Sequence, residues 1–172
     1  METLPSRRSF LKAGLLGAAA LAAGAATWGV LRPASVPAKY ILDDSAKTLF
    51  AALVPAMLKG AMPAGGDAVQ QSIARTQTAI NSLPLAAQQE VADLIKLLNS
   101  GPARRLLTGI SEDWPQARPE QIDSFLQAWR THRSPTLQSA YLALHDLVLG
   151  PWYGDESTWE RIGYPGPIKE LR

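Results

Sequence analysis

The sequence has no cysteine. Without thiols there is no disulfide framework, no thiolate metal site and no covalent haem attachment through a Cys-x-x-Cys-His motif. A chain of 172 residues can still bury a sizeable core by packing alone. Histidine is nearly absent too. His132 and His145 are the two copies, and they fall on different predicted helices. Only Asp146, the neighbour of His145, is close in sequence to either, and helical geometry points it elsewhere. His145 lies beside an apolar stripe and reads as an interior histidine. No Gly-x-Ser-x-Gly elbow is present. Gly65-Gly66 lacks the spacing and the lysine of a phosphate-cradling loop. The carboxylate pairs Asp43-Asp44, Glu112-Asp113 and Asp155-Glu156 each precede or start a helix, where capping and the helix dipole account for them. No catalytic, cofactor-binding or metal-binding residues are assigned.

An excess of positive charge is also missing where it would matter. The formal net charge is +2, but Arg7, Arg8, Lys12 and Glu2 stand near the N-terminus, leaving 14 Lys and Arg against 14 Asp and Glu from Ala26 onward. A nucleic-acid binder gathers basic excess on one face. This body has none to gather, and nucleic acid is not expected as a partner.

What is present begins with Ser6-Arg7-Arg8-Ser9-Phe10-Leu11-Lys12. Two adjacent arginines, a large apolar residue, a leucine and a lysine match the twin-arginine export consensus. An uncharged, Ala/Gly-rich run of 19 residues follows from Ala13 to Leu31. Its mild hydrophobicity suits that route. Ala23-Gly24-Ala25 offers a small-x-small cleavage site, with Val36-Pro37-Ala38 as a second choice. The run is also just long enough to span a bilayer, with Arg32 behind it, so an uncleaved anchor helix is the alternative. The expected location is the periplasm, free or anchored to the inner membrane. Residues 1–38 are accordingly signal segment and linker, and 39–172 the folded domain.

The folded part reads as an all-α bundle of five to six helices. Behind the caps Asp43, Asp44 and Ser45, the residues Ala46, Leu49, Phe50, Leu53, Val54, Met57 and Leu58 keep helical spacing. Pro55 is expected to kink this helix. After a loop from Gly60 to Gly66, Asp67 caps a second helix with Val69, Ile73 and Ile80 on its apolar face. Ser82 and Pro84 start a third, carrying Val91, Leu94, Ile95 and Leu98, and Gly101 ends it. A short fourth helix from Pro102 carries Leu106 and Leu107. Pro119 opens a fifth with Ile122, Phe125, Leu126 and Trp129. Ser134-Pro135 opens a sixth with Leu137, Tyr141, Leu144 and Val148. No segment keeps the period-two alternation of a half-buried strand.

Gly150-Pro151-Trp152-Tyr153-Gly154 is expected to break the last helix. Beyond it lies an irregular tail with a short helical turn at Trp159, then Gly163-Tyr164-Pro165-Gly166-Pro167. Proline limits the entropy this tail loses on ordering, and aromatics make good contact anchors. Trp152, Tyr153, Trp159, Tyr164, Pro165 and Gly166 are therefore the candidate partner-binding residues. Packing of the same aromatics on the chain's own bundle is the competing reading.

Together the leader, the Leu53-Val54-Pro55 step with the loop ending in Met62-Pro63, and above all the stretch Gly150-Pro151-Trp152-Tyr153 to Trp159-Glu160-Arg161-Ile162-Gly163-Tyr164-Pro165-Gly166-Pro167 resemble a known family. It is subunit 3, the small gamma subunit, of gluconate 2-dehydrogenase and related flavin-dependent sugar and alcohol dehydrogenases. The resemblance implies a non-catalytic accessory subunit. It implies that FAD sits in a large partner subunit, that this folded partner crosses the membrane by the twin-arginine translocase on the small subunit's leader, and that a cytochrome subunit takes the electrons. A stand-alone envelope protein, binding a small ligand or acting as an enzyme of another type, is the alternative.

Overall fold

The computed structural model describes residues 39–63 and 66–166. The twin-arginine segment, its cleavage sites and the anchor helix fall on residues 1–38, outside the described residues. Among the described residues the chain is all helix, with no strand. The helices are α1 (Asp44–Met57), α2 (Ala68–Ser82), α3 (Leu85–Asn99), α4 (Gly101–Thr108), α5 (Pro119–Arg130), α6 (Pro135–Tyr153) and α7 (Glu156–Trp159), with a single 3-10 turn at Trp114–Gln116.

Helix α1 is the hub. The Asp43 carboxylate accepts from the Ala46 amide at 2.8 Å, satisfying one of the donors a helix start leaves open; such a cap contributes about 1 kcal/mol. Ala46, Leu49, Phe50, Leu53 and Val54 are all fully enclosed. They are reached from α2, α3, α5, α6 and the 3-10 turn. Pro55 falls on the exposed side, and α1 continues through it to Met57. An aromatic chain closes one end of the core: Trp114 to Phe125 with centroids 6.0 Å apart, then Phe125 to Trp129 at 5.6 Å, edge-on. The Trp129 indole donates to the Leu107 carbonyl at 2.9 Å.

Several elements differ from the sequence expectation. Asp67 occupies the position before α2, but its side chain makes no capping bond. The third helix ends at Asn99, and Gly101 begins α4 rather than ending α3. Pro102 has no amide to donate back into α3, so the helix restarts in the first turn where proline is tolerated. The left-handed residue comes later, at Gly109 (φ 75°), which closes α4 with its amide on the Arg105 carbonyl. The buried residue of α4 is Arg104, while Leu106 is 84% exposed. The Arg104 guanidinium pairs with Asp113 at 2.8 Å and lies 5.8 Å from the centroid of the Trp114 ring. On α2, Ser72 and Thr76 are buried and Val69 only partly so.

The largest difference is at α6, which does not break at Gly150-Pro151 but runs on to Tyr153. Proline at 151 cannot donate to the carbonyl four residues back, at Leu147. The buried Thr76 hydroxyl of α2 donates to that carbonyl instead, at 3.1 Å.

The chain ahead of α1 is also fixed. The Tyr40 amide donates to the Gln88 side-chain oxygen at 2.9 Å. The Leu42 amide donates to the Gln77 side-chain oxygen at 2.6 Å, and the Gln77 NH2 group returns a bond to the Tyr40 carbonyl at 3.0 Å.

Candidate functional site

The end of α6, the short α7 and the residues up to Gly166 fold into a clasp. Because α6 continues past Pro151, Trp152 turns into the bundle and is only 3% exposed. The guanidinium of Arg75, on α2, lies 5.2 Å from the centroid of its ring. The next residue, Tyr153, faces outward and is 40% exposed.

Asp155 ties the following turn. It accepts from the Ser157 amide at 2.9 Å, capping α7, and from the Ser157 hydroxyl. Its other oxygen pairs with Arg75 at 2.9 Å, and Arg75 also donates to the Ser157 hydroxyl at 3.1 Å. The Ser157 hydroxyl and amide, and then Arg75, hold the Asp155 carboxyl below its ordinary value. The buried Thr158 hydroxyl donates to the Trp152 carbonyl at 2.8 Å.

The second half of the clasp rests on Trp159. Its indole N–H donates to the Tyr153 carbonyl at 2.7 Å. Tyr164 stands edge-on to its ring with centroids 5.1 Å apart, and the Tyr164 amide donates to the Trp159 carbonyl at 2.9 Å. Gly166 follows at φ 89°, so close that a Cβ there would meet the Trp159 ring at 3.2 Å. Only glycine fits both the left-handed backbone and that approach.

The predicted partner-binding residues thus divide by role. Tyr153, Tyr164 and Pro165 are exposed, with Ile162 beside them. Trp159 and Gly166 form the half-buried platform beneath. Trp152 is a core residue, because the helix expected to stop before it does not. Arg75 and Thr76 were not singled out in sequence. They lie mid-helix, some 75 residues from the segment that they organise, and carry no local motif.

The histidines also differ from expectation. His145 is not interior; it is half-buried, its Nδ1 is 3.0 Å from Asp146 Oδ1, and its ring is 5.5 Å from that of Tyr141. His132 is exposed and its Nδ1 accepts from the Ser134 amide at 2.9 Å. Asp113 pairs with Arg104 instead of capping the 3-10 turn. Among the described residues, no group of His, Asp or Glu is placed to hold a metal ion, and no helix is long and apolar enough to cross a membrane.

Of several surface concavities of similar volume, one is lined mainly by apolar side chains. A groove of about 570 Å³ lies between α2, α3 and α6, floored by apolar side chains. No protein-family model, curated protein or solved structure matches this chain.

Proposed function

We propose that the chain is the small, non-catalytic subunit of a periplasmic FAD-dependent dehydrogenase acting on a sugar, sugar acid or alcohol. In this reading it carries the folded large subunit across the membrane by the twin-arginine route and then stabilises it. FAD belongs to the large subunit, and a cytochrome subunit receives the electrons. Flavin is inserted in the cytoplasm, so the large subunit must be exported folded, and this route accepts folded cargo.

The observation that supports this reading is the clasp. Tyr153 and Tyr164 are 40% and 44% exposed, yet the backbone that carries them is pinned through Trp159. Exposed aromatics on a preorganised backbone bind with little further loss of entropy. The test is isolation from the native envelope, with a visible spectrum and identification of the co-purifying chain. Wild type should bring down a flavin-bearing chain. Tyr164→Ala should leave the melting temperature of the isolated chain nearly unchanged and weaken the complex by about 2 kcal/mol. Lower stability with undiminished co-purification of the folded fraction would remove the clasp from the interface.

The alternative, a stand-alone envelope protein that binds a small ligand, draws its support from the α2–α3–α6 groove, whose volume is that of a ligand pocket. Wild-type protein that purifies alone, with a small apolar molecule in that groove, would favour it.

A further inference from the structure

The groove beside α2 has the form of a missing helix position. Helix α6 packs on α2 and α5, and α3 packs chiefly on α1 and α4. Between α3 and α6 the groove is lined by the C-terminal end of α2, with Ala79 and Ser82, and by Leu83 just beyond it. Along α6 the lining runs from Thr136 to Leu147, roughly 16 Å or three helical turns. Small side chains stand on both walls, Ala87 on one and Ala140 and Ala143 on the other, among the larger Val91, Leu94 and Leu147. Small residues let a second backbone approach to the usual 8–10 Å between packed helices, roughly.

Two further features separate a protein occupant from a small molecule. The apolar surface does not stop at the rim. Leu97, one turn beyond Leu94 on α3, and Leu142, between Ser139 and Asp146 on the same row of α6, are both exposed. An apolar trough that spreads onto exposed rims marks a protein contact. The charge at the rim has one sign. Glu90 stands on the α3 wall and Asp146 on the α6 wall, and no lysine or arginine is among the lining residues.

We infer that this groove receives a helix of a partner chain, with an apolar face of small and Leu-sized residues, and with Lys or Arg at its flanks to meet Glu90 and Asp146. Helix-in-groove docking reads such anchors at every third or fourth residue. The inference deepens the reading of the chain as a partner-holding subunit and gives it a second contact, apart from the clasp.

The test uses the full chain and two synthetic helix-forming peptides with the same Leu/Ala face. One carries Lys and Arg at its flanks, the other Glu. Binding is measured by fluorescence anisotropy at low salt. The basic peptide should bind about tenfold or more tightly than its acidic twin. The Glu90→Lys, Asp146→Lys double variant changes two rim side chains, so the fold should stand and the preference should invert. Ala143→Trp, which fills the trough, should bind neither. Equal binding of the twins, binding of neither by wild type, or a preference that survives charge reversal would overturn the inference. So would an apolar dye held in the groove that the basic peptide cannot displace, since that is the behaviour of a small-molecule pocket. No flavoprotein enters this test. If the peptides behave as stated but no flavin chain co-purifies, the dehydrogenase reading falls and the groove stands; the converse result removes the groove alone.

Discussion

The Thr76 hydroxyl donates to the Leu147 carbonyl at 3.1 Å, the acceptor that Pro151 leaves without its helical amide. With that carbonyl satisfied from α2, α6 passes through the proline and places Trp152 in the core and Tyr153 outside it. Thr76→Val keeps the shape and removes the donor. It should cost about 1–3 kcal/mol, the range for stranding a buried polar group. Pro151→Ala restores the helical donor, so the same substitution in that background should cost clearly less. Urea unfolding of the four proteins of this double-mutant cycle measures the coupling; additive effects would mean that Thr76 does not stand in for the missing amide.

Trp152 and Tyr153 are adjacent in sequence and opposite in environment. Trp152→Ala should destabilise the isolated chain by about 3–5 kcal/mol, as expected for a large core aromatic. Tyr153→Ala should stay within about 0.5 kcal/mol. Comparable losses from the two would contradict the course of α6 through Pro151.

Asp155 gives the clasp a pH dependence of definite sign. Its carboxyl is held below the ordinary value by Ser157 and Arg75, so the charged form favours the folded state. That contribution is complete above the ordinary carboxylate range, near pH 4 or so, and is lost as pH falls through the lowered folded value. Asp155→Asn should therefore melt below wild type at neutral pH, and the two melting curves should converge in acid. Parallel curves down to the acid limit would count against this role.

Gly166 should be intolerant of any side chain. Gly166→Ala combines a left-handed backbone, costing roughly 1–2 kcal/mol, with a contact at 3.2 Å from the Trp159 ring. The expected outcome is release of the clasp alone: faster tryptic cleavage after Arg161, with the main melting transition little changed. Unaltered cleavage would show that the segment is held by other contacts.

Export supplies a prediction that reaches the partner. Arg7→Lys with Arg8→Lys should leave this chain in the cytoplasm and leave the flavin-bearing chain there with it. Fractionation followed by dehydrogenase assay of each fraction reads both. A periplasmic flavoprotein alongside a retained small chain would end the escort model.

The helices were legible because their apolar residues keep helical spacing; Ile122, Phe125, Leu126 and Trp129 are buried as their periodicity requires. Pattern failed where a tertiary partner overrides a local signal. Gly150-Pro151 reads as a stop, and the hydroxyl that takes up the freed Leu147 carbonyl lies 71 positions away in sequence. Leu106 is expected on the apolar face of its helix, yet it faces out, while Arg104 is buried against Asp113 and Trp114. In the tail, aromatic content pointed to Trp159 and Tyr164, which do meet. The division into platform and exposed face depends on Arg75, which carries no local signal, and on the left-handed backbone at Gly166, which the sequence marks only as a contact residue.

The bonds from Tyr40 and Leu42 to Gln77 and Gln88 also set how the body bears load. A pull applied at Lys39 does not peel away a loose end. It meets three side-chain amide bonds onto α2 and α3 at once, and immediately behind them is α1, the helix on which the others pack. Tension at that point would load the clamp and α1 together. If the chain is exported from its N-terminal side, as proposed, such a clamp would tie the point of traction to the centre of the core rather than to a loose end.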